Sequence, residues 1–410
     1  MNILIIPSWY PWPGAPQRGI FFKEQAVCLG RMRPGWKIAV AVWGQRRYTL
    51  SLRNPLATLR VLADFLRSVF GKRRRGLLPN VWEYRQPAIE WTRRWGQGNI
   101  RGMVRACRRI LRRAGRDLGR VDLIHAHVTF PGGWIAMALS QESALPYVIT
   151  EHWGNFPAPE FLGADGALKE IIAAPLRGAR ALAAVSPFLA ERIAERGFPR
   201  PRVIPNMVDD DFFTPGTPVK KEAGLFIFFA LGALKPAKGV GDLLEALAIW
   251  LRPGAGRQAP GIQLRIGGAG KMKSEWSALA RRLEIEPWVR WLGPLGRERV
   301  LEEFRACDCF VQPSHRESFS IVLLEALACG KPVIATRCGG PESFVTPANG
   351  MLVGVHEPAD LARAMDEMTR TAHRFDGPAI RRDIMKTYSP ASVSVRIEAL
   401  YHDALAQAPR

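Results

Sequence analysis

Short unbroken apolar runs alternate along this chain with longer stretches whose apolar residues recur at helical spacing. Residues 2–6 (NILII) form the first such run, stopped by Pro7 and Ser8, and read as a buried strand. A loop carrying Pro11, Pro13, Gly14, Pro16 and Gly19 follows, and then IFFKEQAVCLGRM at helical spacing. Strand, glycine loop and helix in that order open a Rossmann-like unit. KIAVAVW (37–43), VDLIHAHV (121–128), PYVITEH (146–152) and ALAAVS (181–186) are further strand-length runs separated by helical segments. Strands that alternate with helices predict a parallel sheet.

A second series begins after residue 220. LFIFFALG (225–232), IQLRIGG (262–268), VRWLG (289–293), CDCFVQP (307–313) and KPVIAT (331–336) read as buried strands, with helical stretches such as 241–251 and 274–284 between them. Two α/β halves therefore stand in series, joined by the Pro- and Asp-rich segment 203–218. The 410 residues agree with two domains, and with 47% apolar residues each can bury a core. No uncharged apolar stretch reaches the ~18 residues of a membrane-spanning helix. The start, MNILIIPSWYP, lacks a basic leader and its apolar run is too short for a signal peptide, so a cytoplasmic protein is expected. Six cysteines without a C-x-x-C pair fit that compartment as small buried thiols.

Charge changes the picture more. The net charge is +21, and residues 45–120, with twenty Lys or Arg against four Asp or Glu, supply +16 of it. A field this concentrated predicts an anionic partner. Residues 55–76 place Leu56, Leu59, Leu62, Phe65, Leu66, Val69 and Phe70 mostly on one helical face, adjoined by Arg60, Arg67 and the run Lys72–Arg75. That pattern predicts an interfacial helix on an anionic membrane, helped by a second basic stretch at 105–116. No RNA- or DNA-binding motif accompanies it, so nucleic acid is not expected.

The densest chemistry lies in PSHRESFSIVLLEALACGKPVIATRCGG (313–340). A strand ends near Pro313, a polar turn carries Glu317, and a helix starts near Ser320. The unpaired N–H groups and positive dipole of a helix start suit a diphosphate. Glu317 just ahead of it suits a sugar, and Glu325 further in suits a ribose, because carboxylates accept bonds from vicinal hydroxyls. Two glutamates at this spacing are equally the surface acids of an amphipathic helix, and only the surrounding residues decide between the two.

This segment resembles the Glu-x7-Glu motif of glycosyltransferase family 4, P-S-x-x-E-G-F-G-x-x-x-L-E-A-x-A-C-G-x-P-V-I-A. VIPNMVDDDFFTP (203–215), LGALKPAKGVGDLLEAL (231–247) and IQLRIGGAG (262–270) resemble the family's linker, phosphate loop and glycine turn in the same order. The resemblance implies a GT-B fold: two Rossmann-like α/β domains facing across a cleft. These are an acceptor domain at 1–204, a nucleotide-sugar domain at 205–385 and a helix at 386–410 returning to the first domain. It implies retention of configuration, no metal, no cofactor, and a UDP- or GDP-sugar as donor. Glu317 then grips the donor sugar, Glu325 the ribose and Lys238 the diphosphate, with the backbone of Phe319 and Ser320 on the phosphates. Gly19 approaches the phosphates from the first domain, and His152 faces the transferred sugar.

Three features depart from the family pattern. Ala233 stands where the phosphate loop has Arg, leaving Lys235 or Arg316 to replace it. Arg18-Gly19 replaces a Gly pair, and Ser318 and Ser320 replace the glycines flanking Phe319. His125 and His127 alternate and are assigned to opposite faces of their strand, with His127 on the acceptor side. Asp209–Asp211 contain a D-x-D, but in the linker, so no metal is assigned there. Residues 267–271 fail the P-loop pattern because Arg265 and Met272 stand at its fixed positions, and no G-x-G-x-x-G follows the first strand.

The expected reaction moves a hexose-type sugar to a glycan or lipid-linked acceptor in cell-envelope polysaccharide or glycolipid synthesis, with the enzyme peripheral on the inner face of the membrane. The rivals are a nucleotide-sugar epimerase or phosphorylase on the same fold, and a non-catalytic basic module that binds membrane or nucleic acid.

Overall fold

The computed structural model describes residues 1–410 except 51–54, 92–95, 155, 218–221, 253–260 and 408–410. Residues 51–54 and 92–95 of the basic segment, Asn155 beyond His152, and Pro218 at the end of the connecting segment therefore lie outside the described residues. The chain divides into two units, Met1–Asn206 with Val393–Arg410, and Met207–Ser392.

The first unit is built on the strands β1 (Asn2–Pro7), β2 (Lys37–Val42), β3 (Arg74–Leu78), β4 (Val81–Arg85), β5 (Leu123–His127), β6 (Tyr147–Glu151), β7 (Ala181–Ala184) and β8 (Arg202–Val203). They form one sheet in the order β3-β4-β2-β1-β5-β6-β7-β8, parallel except for the β3–β4 edge pair. Its helices are α1 (Ile20–Met32), α2 (Pro55–Val69), α3 (Gly96–Leu118), α4 (Trp134–Ser143), α5 (Glu170–Gly178) and α6 (Pro187–Ala194). Central strands covered on both faces need apolar side chains on both, and Ile3, Leu4, Ile5 and Ile6 are all at most 1% exposed. The chain leaves β1 for β2 on one side and later returns to β5 on the other, so the strand order reverses between β1 and β5. In open parallel sheets ligands bind at the carboxyl ends of the strands flanking such a reversal.

The second unit has β9 (Leu225–Leu231), β10 (Gly261–Gly267), β11 (Val289–Gly293), β12 (Cys309–Gln312), β13 (Val333–Thr336) and β14 (Gly350–Val353), ordered β11-β10-β9-β12-β13-β14. Every described pairing is parallel. Its helices are α7 (Val240–Leu251), α8 (Lys273–Arg282), α9 (Arg297–Ala306), α10 (Ile321–Ala328), α11 (Pro358–Thr371) and α12 (Gly377–Tyr388). Here the order reverses between β9 and β12. The last helix, α13 (Pro390–Ala406), packs from Val393 onward in the first unit. Tyr401 lies within 2.6 Å of His125, and Glu398 accepts two bonds from Arg33 at 2.7 and 3.0 Å.

The basic run needs a correction. Lys72–Arg75 does not continue the amphipathic helix: α2 stops at Val69, and Arg74 and Arg75 lie in β3, paired with Tyr84 and Glu83 of β4. Gly71 and the pull of a partner strand end the helix there. The apolar face of α2 is nevertheless open, with Leu56 at 73%, Leu59 at 63% and Leu66 at 57% exposure, and Phe70 just beyond it at 87%. Among the described residues no helix is long and apolar enough to cross a membrane.

Candidate functional site

At the reversal in the second unit, the loops leaving β9 and β12 meet. The β9 loop makes one tight turn, Pro236–Lys238, and then caps α7 with Gly239 at φ +62°. A Cβ there would sit 1.8 Å from the carbonyl oxygen of Pro313, so only glycine lets the two loops close. This approach brings Lys238 to Glu317, and the two side chains form an ion pair. The same Glu317 oxygen accepts bonds from Gln312 Nε2 at 2.7 Å and Ser314 Oγ at 2.8 Å. The backbone of Glu317 is fixed as well, its N–H donating to Cys338 and its carbonyl accepting from Gly340. Three donors thus converge on one carboxylate oxygen, and the second oxygen carries no bond among the described residues. Its side chain keeps 14% exposure, enough for a ligand to reach it.

Phe319 is buried against Phe344 and Tyr388, and Ser320 precedes the first residue of α10. Ser320 lies at φ +82°, a left-handed conformation that costs a residue with a Cβ roughly 1–2 kcal/mol. Its hydroxyl donates to Gln312 Oε1, which anchors the strained residue to the same network. Glu325 lies half-buried past the first turn of α10. Ala233, Lys235 and Arg316 are all exposed. Gln312, Ser314 and Thr336, which donates to the Ser314 carbonyl, escaped the sequence reading. The signal available was the P-S dipeptide itself, whose serine points at the glutamate three residues on.

At the reversal in the first unit, His127 Nδ1 lies 3.0 Å from His152 Nε2. His125 is not on the opposite face: its ring centroid is 4.1 Å from that of His127. Residues two apart on a strand share a face, so the assignment from alternation was wrong. His125 bonds Thr150 at 2.8 Å and Tyr401 at 2.6 Å, while Phe22 packs on His127 and His152. Burial pushes His125 down to about 3, with no acid beside it to restore its charge. Burial also takes His152 to about 3, with His125 adding to the fall and a hydrogen bond with Asn206 opposing it. His127 falls well below its ordinary value for the same first reason. All three imidazoles are therefore neutral near pH 7, and one N–H between His127 and His152 serves as donor to the other ring. Glu151, fully packed, accepts through one oxygen from the Thr129 N–H and hydroxyl at 2.9 and 2.6 Å, and through the other from the N–H groups of His152 and Trp153 at 2.8 and 2.9 Å. It thereby sets the turn that presents His152, a role the sequence reading did not assign.

Gly19 caps α1 at φ +62°, where a Cβ would meet the Trp9 backbone at 2.9 Å. Near it, a cavity of about 430 Å³ opens where β1, β2 and β5 end, lined by Ser8, Trp9, Trp43, Gln45, Arg46 and Glu90 among others. Burial raises the Glu90 carboxyl, while the Arg46 N–H at 2.8 Å and the charges of Arg46 and Arg18 oppose that rise. The linker aspartates do not stand alone: Asp209 is bound by Arg297 at 2.7 Å.

Comparisons with known proteins place likenesses on both units. The family model described as glycosyl transferases group 1 matches residues 217–376, and that described as glycosyltransferase family 4 matches residues 44–212. A D-inositol 3-phosphate glycosyltransferase of Frankia alni is 30% identical over 333 residues, covering 69% of this chain and 78% of that one. Its counterpart in Pseudarthrobacter chlorophenolicus is 31% identical over 317 residues, covering 70% of each. Sucrose-phosphate synthase of Thermosynechococcus elongatus shares the fold with a TM-score of 0.76 at 19% identity, over 99% of both chains. HepE of Anabaena, solved with UDP and glucose, does so with a TM-score of 0.68 at 18% identity, over 97% of this chain and 98% of that one.

Proposed function

The chain belongs to family 4 of the group 1 glycosyltransferases, with the GT-B fold, and from that premise we propose that it is a retaining, metal-independent hexosyltransferase using a nucleotide-diphosphate sugar. The observation that carries this reading is Glu317, held through one oxygen by Lys238, Gln312 and Ser314 with its other oxygen available, at the mouth of α10. A carboxylate so fixed is a preorganised acceptor for two sugar hydroxyls. Lys238 and the N–H groups at the start of α10 supply the positive field that a departing diphosphate needs. Glu325 is assigned the ribose. A uridine diphosphate donor is the first candidate, since HepE is solved with UDP and glucose, and a guanosine donor is the second.

The acceptor is assigned to the first unit, whose cavity is lined by Trp9, Trp43 and Trp91 together with Arg46 and Glu90. Sugars stack on indole faces, and the guanidinium suits an anionic group. A membrane-borne glycan or lipid-linked acceptor agrees with the open apolar face of α2 and the basic field around it. A soluble phosphorylated cyclitol is the second reading, favoured by the names of the relatives at 30–31% identity. His152 and His127, neutral and joined to each other, are assigned to hydrogen bonding on that side.

The test is release of nucleoside diphosphate when protein, donor and acceptor are mixed, by wild type and by Glu317→Gln. Release by the wild type with a product that keeps the donor's anomeric configuration is expected, and persists after chelation. Inverted product, release that needs no acceptor, or full activity in the variant overturns the reading. An epimerase would isomerise the donor without releasing the nucleotide. A non-catalytic module would do neither.

A further inference from the structure

We propose that the second unit carries a binding site for a zinc-class divalent ion, made by Asp242, His315 and His356 and separate from the transfer chemistry. Asp242 lies in the first turn of α7, His315 in the loop after β12 and His356 in the loop between β14 and α11. Three segments far apart in sequence thus deliver one carboxylate and two imidazoles to a single point. His315 Nε2 is 3.1 Å and His356 Nδ1 3.5 Å from the same oxygen, Asp242 Oδ2, and all three ligand atoms lie within 4.8 Å of one another.

The 3.1 and 3.5 Å separations from Asp242 bracket the edge of a coordination tetrahedron. An ion ~2.0–2.1 Å from nitrogen and oxygen ligands sets the corners of a tetrahedron roughly 3.3–3.4 Å apart. At 3.1 Å His315 is within direct hydrogen-bond distance of that oxygen, whereas His356 stands at 3.5 Å and forms an ion pair with it only as a protonated ring. The latter is held at φ +60°, with its side chain 66% exposed, and its ring centroid stands 3.9 Å from that of His315. Left-handed backbone in a residue with a Cβ is a strained conformation that surroundings must enforce. The donor set of two imidazoles and one carboxylate selects zinc, cobalt, nickel or copper over magnesium or calcium, which prefer all-oxygen sites. Three protein ligands leave one position for water.

The site clamps the loop that carries Glu317. His315 N–H donates to the Ala237 carbonyl, beside Lys238, so an ion here ties the β9 loop, the β12 loop and α7 together. Its expected effect is on the stability of the second unit. Competition from thiols is small, because all six cysteines are buried and burial pushes Cys307, for one, up to about 12.

Untagged, chelator-treated full-length protein titrated with Zn²⁺ by calorimetry, and with Co²⁺ by visible absorption, tests this directly. One equivalent of each ion is expected to bind, with the d–d bands of low-coordinate cobalt and a rise in melting temperature. His356→Ala, at an exposed position, should fold normally. Losing a direct ligand should cost it more than the ~10–100-fold in zinc affinity that loss of an outer-shell partner costs. Asp242→Asn should do the same. If the wild type takes up no ion, or binds it as tightly as His356→Ala does, the site does not exist. Because the readout is binding and melting, the result is independent of whether sugar transfer is observed.

Discussion

At the scale of single residues, the cluster around Glu317 makes the sharpest statements. Lys238 faces the Glu317 carboxylate and, in the proposed function, a diphosphate when donor is bound. Lys238→Ala should therefore weaken nucleoside diphosphate binding by ~1.5–3 kcal/mol, the range for a hydrogen bond to a charged group. Calorimetry with the nucleotide alone measures this, and an unchanged affinity would remove Lys238 from the site. Ser320 allows a test of strain. Ser320→Ala keeps the left-handed cost and loses the bond to Gln312, whereas Ser320→Gly loses the bond and relieves the cost. The glycine variant should be the more stable of the two by ~1–2 kcal/mol in denaturant unfolding. Equal stabilities would mean that this backbone position is unstrained. The residues of the motif were legible because their types and spacing are chemical. The roles of Gln312, which donates to Glu317, and Thr336, which donates to the Ser314 carbonyl, were not, since nothing in a sequence says which polar group at a strand end will meet which acceptor.

At the scale of elements, α2 stands out as a helix whose apolar side meets little of its own protein. Phe65 packs on Tyr48, and Arg47 pairs with Asp64 at 2.8 Å, which anchors the helix on that side. Leu59, Leu66 and Phe70 are left to solvent beside the exposed charges Arg60, Arg67, Lys72 and Arg75. An anionic bilayer satisfies both features, at ~1 kcal/mol for each basic residue near the surface. Sedimentation with vesicles containing anionic lipid should pull down the wild type, and rising salt should release it, because charges are screened beyond ~10 Å at 0.1 M. Replacing Leu59, Leu66 and Phe70 with serine should weaken vesicle binding without lowering the melting temperature, as these side chains bury little in the folded protein. A protein that ignores such vesicles at low salt leaves the basic field to a soluble anionic acceptor. The helical pattern itself was readable from spacing. Its end at Val69 was not, because the strand pairing of Arg74 and Arg75 with β4 overrode a run of residues with good helix propensity.

At the scale of the whole molecule, the buried histidines of the first unit couple folding to pH. His125 and His152 titrate near 3 when folded and near ~6.5 when unfolded, so the unfolded chain binds more protons below that value. The stability they contribute is complete above pH ~6.5 and falls as pH drops toward 3, each group costing up to ~1.4 kcal/mol per pH unit in that window. Unfolding midpoints measured from pH 8 to pH 4.5 should be flat at first and then fall below ~6.5, and His125→Gln should flatten the lower limb. A midpoint that holds steady down to pH 5 would show that these imidazoles are not buried as neutral groups.

β3, β4, β8, β14 and the antiparallel β3–β4 edge went unread, but the alternation of strands and helices in both halves and the position of the Glu317 motif at a strand-to-helix turn were present in the sequence. They depend on periodicity, on loop residues and on local chemistry, which are properties of neighbouring positions. Hydrophobic runs of strand length cannot, however, say which strand lies beside which. The reversal between β9 and β12 exists only in the folded sheet and brings Lys238 to Glu317, just as the pairing of β5 with β6 brings His127 to His152. The same holds for Tyr401, which reaches His125 across 276 positions of chain. Such meetings are decided by the packing of whole layers, where the burial of each apolar face selects one arrangement among many that the local pattern permits.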